Sequence, residues 1–361
     1  MKVRNLFFPS VDGSSPFTIP PVPYSIFLDL TSQCNLRCRF CYRGTPRSKA
    51  HGDAVDLKKI VGEAGEEGVR EIIYLGGEPL LHPDLEAIIE CASRWNLQQR
   101  LITNGQSLRR VNWSAMKANG LVEVGVSVHS HMAQAHDRYT ATIGSWENAI
   151  ETINELQNCG IAWYIQFSLL RGNVCDVCEL SSFLAGRFGV DSFRMDFSRM
   201  VEDGRFVGCG DEVLREDDWG QFFTDAISLT TTGVRCSVEA VPLCWLRRLS
   251  EKKHFSYQEA KSMVRPCYAW IAQLPIDEMG NARLCPTGGP VVGNILAQGL
   301  RSTWKESPLI RSFRGFRWLG LPCITDNGVV VCEEFYECSG ACRRTKSPIG
   351  ICADKLIDHE S

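Results

Sequence analysis

Between Ser25 and Phe197, short apolar runs alternate with amphipathic stretches, and this alternation restricts the fold more than any other feature of the chain. The first run is Ser25-Ile26-Phe27-Leu28-Asp29-Leu30. Others cover Glu71 to Leu75, 100–102 and 122–128, and two more lie near 161–169 and 192–197. Helical periodicity fills the gaps at about 56–68 and at 84–95, where Leu85, Ile88, Ile89 and Ala92 share one face. It returns at 145–158, which Gly160 closes, and again between the last two runs. Strands separated by helices pair in parallel through right-handed crossovers, so the expectation is an α/β fold with a parallel sheet. Polar and glycine residues follow the strands: Gly76-Gly77-Glu78-Pro79, Thr103-Asn104-Gly105 and His129-Ser130-His131. Parallel α/β folds place their chemistry at those strand ends. Residues 1–24 read as an irregular arm, 25–225 as the core and 226–266 as a helical connection. Residues 267–361 read as a separate cysteine-rich module of short strands and turns.

Cysteine occurs 17 times in 361 residues. A secreted disulfide scaffold fits poorly, because such scaffolds are short chains unable to build a core. Thiols and metal sites in a reducing cytoplasm fit better. Lys and Arg total 39 against 42 for Asp and Glu, a net charge of -3 that implies no general attraction to nucleic acid or membrane. No apolar run reaches 18 residues, and Met1 to Asn5 leads into no signal-like apolar segment, so neither a membrane span nor a signal peptide is expected.

The densest cysteine group is Cys34-x3-Cys38-x2-Cys41. Three thiolates within eight residues can wrap one face of an iron–sulfur cube. Four-iron clusters usually take four cysteines, so three leave one iron open to a ligand. A zinc loop is the alternative, although zinc thiolates more often come as separated C-x2-C pairs. Cys34, Cys38 and Cys41, with Phe40 before the last, resemble the signature of the radical S-adenosylmethionine (SAM) superfamily. That resemblance implies a partial (βα)6 TIM-like barrel and a [4Fe–4S] cluster whose open iron chelates SAM. It also implies reductive cleavage to a 5′-deoxyadenosyl radical, with a flavodoxin- or ferredoxin-like protein as reductant. Gly76, Gly77, Glu78 and Pro79 resemble the family's GGEP motif, whose backbone and carboxylate meet the SAM amino group. Glycines permit close approach, and a carboxylate suits an ammonium. Ser127, at the end of the fourth strand, and Asn104, after the third, are further SAM-contact candidates by the same resemblance. His129, His131 and His136 lie near that rim as surface or hydrogen-bonding histidines, with a catalytic base as the lesser reading.

The later cysteines resemble the SPASM extension of these enzymes, which carries two auxiliary [4Fe–4S] clusters and would bring the total to three. Cys267-x12-Gly280-x4-Cys285 leads, followed by Cys332-x5-Cys338-x3-Cys342 and Cys352. The resemblance gives Cys267, Cys285 and Cys342 to one auxiliary cluster and Cys332, Cys338 and Cys352 to the other. Where the family carries a further cysteine, this chain has Val329, and Cys323 is the candidate replacement. The first auxiliary cluster lacks an obvious fourth ligand. It keeps an open iron or borrows Cys244, Asp277 or another residue. A zinc module is the alternative for this region. Cys175-x2-Cys178 is read as buried thiols, with a redox pair as the alternative.

Two substrate classes compete: a peptide side chain to be oxidised or crosslinked, and a small molecule such as a sugar or aminocyclitol. Sulfatase-maturing relatives carry an Asp where this chain has Pro286, which argues against formylglycine formation. A non-catalytic electron-transfer protein is a third reading, disfavoured by the GGEP motif and the three-cysteine site.

Overall fold

A computed structural model describes residues 19–43, 51–107, 111–200, 204–206, 209–269, 271–311, 323–325 and 328–330. In chain order the elements begin with β1 (Ser25–Asp29), α1 (Ala54–Glu66), β2 (Glu71–Leu75), α2 (Leu85–Ser93), β3 (Gln98–Thr103) and α3 (Trp113–Ala118). Next come β4 (Leu121–Ser127), α4 (Ala133–Thr140), α5 (Ser145–Asn158), β5 (Ala162–Leu169), α6 (Val177–Phe188) and β6 (Arg194–Arg199). They are followed by α7 (Glu216–Thr231), β7 (Arg235–Glu239), α8 (Leu243–Lys253), α9 (Tyr257–Met263) and β8 (Val264–Arg265). The last are β9 (Gln273–Ile276), β10 (Asn281–Cys285), β11 (Gly288–Asn294), α10 (Ile295–Gln298), α11 (Leu300–Glu306) and the hairpin β12 (Cys323–Thr325) with β13 (Gly328–Val330).

Strands β1 to β8 lie side by side in sequence order, every neighbouring pair parallel. The first six are those expected from the apolar runs, and two more extend the sheet. Residues 226–266 are therefore not purely helical: β7 lies within them and pairs with β6. On the other flank of β1, β9 joins in parallel, with Ser25 opposite Gln273. Antiparallel β10 and β11 follow it. The segment after 266 thus begins along the β1 edge of this sheet.

The helices cover one face of this sheet. Asp53 caps α1 through hydrogen bonds to the N–H groups of Val55 and Asp56, and Leu57, Ile60, Val61 and Ala64 face inward. Ala149, Ile150, Ile153 and Leu156 do the same for α5. The other face is polar. Arg100 pairs with Glu71 (3.1 Å) and Glu123 (3.4 Å), Arg194 with Glu123 (2.9 Å) and Asp196 (3.3 Å), and Arg265 with Asp196 (3.1 Å). These pairs sit mostly toward the N-terminal ends of the strands. Side chains alternate along a strand, so Ser127 shares the face of Glu123, and Gln166, opposite it on β5, donates to Ser198 Oγ at 2.6 Å. A charged floor therefore underlies a polar C-terminal rim.

In the hairpin, Cys323 is opposite Val330 and Thr325 opposite Gly328. Cys332, Cys338, Cys342 and Cys352 lie outside the described residues.

Candidate active site

The loop carrying Cys34, Cys38 and Cys41 leaves β1 at the C-terminal rim and is held there by backbone. Pairing between β1 and β2 continues beyond both strands. Leu30 N–H donates to Leu75 O (2.8 Å), Gly77 N–H to Thr31 O (2.7 Å) and Glu78 N–H to Gln33 O (2.7 Å). The glycine turn therefore runs along the segment leading into Cys34. A Cβ on Gly77 would stand 2.0 Å from Gln33 O, and one on Gly76, at φ +143°, 2.5 Å from Thr31 O. The missing side chains make room for the cysteine loop itself.

Glu78 is fully buried. Its Oε1 accepts from Thr103 Oγ1 (2.6 Å) and Leu80 N–H (2.9 Å), and its Oε2 from Asn104 N–H (2.7 Å). Burial pushes the carboxyl up to about 7, against the pull of those three donors. The carboxylate thus ties the turn after β2 to the end of β3. Asn104 carries the tie onward: its Nδ2 donates to Cys34 Sγ at 3.6 Å and to Asn35 Oδ1 at 3.3 Å. Asn35 Nδ2 donates in turn to Gln106 O at 2.6 Å.

The other side of the loop leans on α4. A helix leaves its last carbonyls without partners. Here Arg39 N–H donates to Tyr139 O and Arg37 N–H to Thr140 O, both at 3.1 Å. Phe40 meets His129 edge-on, with ring centroids 4.7 Å apart, and His129 stacks on His136 at 5.4 Å. Ser168 N–H donates to His129 Nδ1, and His129 N–H to His136 Nδ1, each at 3.2 Å. Both rings are therefore neutral with the proton on Nε2. Burial holds His129 well below the usual histidine range and His136 at about 4. They act as packing and hydrogen-bonding groups. Beyond Cys41, Arg43 pairs with Asp29 at the end of β1, a nearly buried contact that anchors the loop exit.

The three thiols are partly exposed. Burial pushes Cys34 up to about 11 and Cys38 higher, and Cys41 raises both. Iron binding would therefore release their protons. Among the described residues no three Cys, His, Asp or Glu side chains converge tightly enough to hold a single ion. A four-iron cube takes each thiolate on a different iron, so its ligands stand farther apart. Three cysteines on one short loop are the donor set for a cube with one open iron.

Of the expected residues, Cys34, Cys38, Cys41, Phe40, Gly76, Gly77, Glu78, Pro79 and Asn104 gather in this one assembly. Ser127 ends β4 on the polar face, opposite Gln166. Thr103, Asn35 and Gln106 were not expected at the site. Their place beside strand ends and the first cysteine was the only signal. Asp277 is fully engaged. It accepts from Met279 N–H (3.1 Å), Asn281 N–H (2.9 Å) and Asn281 Nδ2 (3.2 Å), and from Arg283 Nε (3.0 Å) and Nη2 (2.8 Å). Cys267 follows β8 and Cys285 ends β10, its Sγ 3.0 Å from Thr287 Oγ1.

Residues 28–182 match the family model of the Radical SAM superfamily. The chain carries a radical SAM domain. Such a domain takes SAM and a [4Fe–4S] cluster, which the three thiols fit, and it makes the chain an enzyme. The chain is 24% identical over 334 residues to PqqA peptide cyclase of Gluconobacter oxydans, covering 90% of this chain and 87% of that one. It is 22% identical over 300 residues to AdoMet-dependent heme synthase of Nitratidesulfovibrio vulgaris, covering 79% and 80%. Its fold is similar to the crystal structure of Streptococcus suis SuiB bound to S-adenosylmethionine. The TM-score there is 0.71 at 18% identity, over 95% of this chain and 76% of that one. The radical SAM domain thus shares the partial barrel of these enzymes, and β7 to β11 continue its sheet. No helix among the described residues is long and apolar enough to cross a membrane.

Proposed function

We propose that this radical SAM enzyme oxidises or crosslinks a peptide side chain in the biosynthesis of a modified peptide. The observation that carries the reading is the match to a peptide cyclase over nine-tenths of the chain, on a site whose cysteine loop is braced by the GGEP turn. When bound, the cluster and SAM supply a 5′-deoxyadenosyl radical that removes a hydrogen atom from substrate. The chain's own residues do the holding. Cys34, Cys38 and Cys41 are the cluster ligands. Gly76, Gly77, Glu78 and Pro79 set the height of the loop over the rim, and Asn104 fixes the Cys34 sulfur. Phe40, wedged against His129, fixes the far end of the loop. Ser127 lies on the polar face, where substrate and the SAM ribose would lie.

Two auxiliary clusters belong to the same reading, with residues 267–361 as the SPASM module. Cys267, Cys285 and Cys342 serve one; Cys323, Cys332, Cys338 and Cys352 serve the other. The five donors on Asp277 leave it no lone pair directed at iron, which favours Cys244 or an open iron for the fourth position. The match to a heme synthase supports a second reading, a small-molecule substrate.

The test is anaerobic turnover of the reconstituted enzyme with SAM and a candidate precursor peptide. The expected result is 5′-deoxyadenosine together with a peptide lighter by two hydrogens. Replacing Cys34, Cys38 and Cys41 together with Ala abolishes both products. SAM cleavage that persists in the triple variant refutes the site. Cleavage stimulated by a small molecule and by no peptide refutes the substrate class.

A further inference from the structure

Reductive cleavage needs one electron per event from outside the chain, and the rim beside the first cysteine loop has the surface to receive its carrier. Arg37 and Arg39 flank Cys38 in sequence, and both side chains are exposed. Their backbones cap the end of α4, which brings the exposed Arg138 of that helix next to them, its guanidinium over the Tyr139 ring. Among the described residues no carboxylate pairs with any of these three arginines, whereas Arg43, Arg171, Arg283 and Arg301 all have acidic partners. Asp137, the acid nearest them on α4, is turned inward and accepts from Gly144 N–H, Ser145 Oγ and Trp146 N–H. Three residues past the end of the same helix Ile143 is 96% exposed, the most exposed large apolar side chain among the described residues, and Met132, just before its start, is 49% exposed.

An apolar tip among unpaired cations is a contact surface for an acidic protein. We propose that Arg37, Arg39, Arg138 and Ile143 form the docking surface of an acidic, low-potential electron-transfer protein of the flavodoxin or ferredoxin kind. The inference rests on the proposed cluster at Cys34, Cys38 and Cys41. A partner seated on Arg37 and Arg39 is one residue from Cys38, so the electron passes to the cluster without crossing the barrel. The carrier is oxidised by one electron and the cluster reduced by one. The chain as a whole is negative, at -3, so attraction of an acidic partner has to come from a local patch. The patch also lies on the solvent side of the loop, away from the polar sheet face where substrate would lie.

The test uses the reconstituted enzyme, reduced in stopped flow either by reduced flavodoxin or by dithionite. Variants are Arg138→Glu, Arg138→Lys and Ile143→Ser. At about 50 mM salt, Arg138→Glu lowers the second-order rate with flavodoxin roughly threefold to tenfold, the effect of reversing one partly screened charge. The gap closes at about 500 mM salt, where the screening length falls to a few ångström. Arg138→Lys retains the rate, and Ile143→Ser lowers it at both salt concentrations. Dithionite reduction and SAM affinity stay as in wild type. An unchanged flavodoxin rate at low salt overturns the proposal. So does an equal loss with dithionite, or a loss confined to peptide-dependent turnover, which would assign the surface to substrate. Failure of the wild type to cleave SAM with dithionite would instead refute the cluster reading beneath it.

Discussion

Replacing Glu78 with Gln separates two roles for the GGEP carboxylate. The wild-type carboxyl is fully buried and pushed up to about 7 from an ordinary value of 4.5. Between those two pH values the folded chain binds more protons at this group than the unfolded chain does. Stability therefore falls as pH rises through the window and levels off above it. The shift is worth up to about 3 kcal/mol at 1.36 kcal/mol per unit. Glutamine is the neutral isostere; its one oxygen keeps Thr103 and Leu80, but its amide nitrogen then faces the Asn104 N–H and that hydrogen bond is lost. Glu78→Gln should therefore be about 1–3 kcal/mol less stable than wild type near pH 5. By pH 8 the difference should have moved by about 3 kcal/mol in favour of the Gln protein. Glu78→Ala, which strips the acceptor from Leu80 N–H, Asn104 N–H and the Thr103 hydroxyl, should lose about 3 kcal/mol or more at every pH. Urea unfolding followed by far-UV circular dichroism, run anaerobically without SAM from pH 5 to 8, reads all three proteins. Calorimetric titration with SAM then reports whether the amide binds SAM's ammonium less well than the carboxylate. A stability gap between wild type and Gln that stays constant across the pH range would refute the burial argument.

Three other outcomes follow, two from the same site and one from the proposed auxiliary clusters. Gly77→Ala should displace the cysteine loop, because its Cβ would stand 2.0 Å from Gln33 O, and iron content after reconstitution should fall more than thermal stability does. Asp29→Asn breaks a nearly buried pair with Arg43 and should cost about 3–5 kcal/mol in denaturant unfolding; a cost under 1 kcal/mol would show that the loop exit is held by something else. With the two proposed auxiliary clusters the reconstituted protein should hold about twelve iron per chain, four per cube, and Cys323→Ala should lower that content, whereas unchanged iron and cluster spectra would make Cys323 an ordinary thiol.

The parts of this architecture legible in the sequence are those with a local signature. Ile72 to Leu75 is a continuous apolar run that stops at Gly76, and β2 is where it stands. The helix at 145–158 coincides with α5, because its apolar spacing and the closing glycine both mark the ends. The cysteine spacing and GGEP were equally plain. The site's cross-links were not, because each joins residues far apart in sequence. Nothing near Glu78 announces Thr103 and Asn104 as its partners, and nothing in Arg37 or Arg39 says that their N–H groups close α4. That helix, Ala-Gln-Ala-His-Asp-Arg-Tyr-Thr, is too polar to show a strong apolar stripe. β7 was missed for a related reason: Arg-Cys-Ser-Val-Glu is five residues with weak alternation between two long helical stretches, and its place is decided by β6 beside it.

The seating of β9 against β1 bears on how the protein is made. β1 is made well before β9, so one of its edges can pair with β2 while the other stays bare until β9 appears roughly 240 residues later. At about 5–20 residues per second that interval is roughly 12–50 s. For that time an open strand edge lies beside the cysteine loop. An open edge invites pairing with other chains. The nascent chain therefore passes through a stage in which aggregation and iron loading compete for the same neighbourhood. Expression slowed by low temperature lengthens that stage, and co-supply of iron–sulfur assembly proteins should raise soluble yield most when translation is slow.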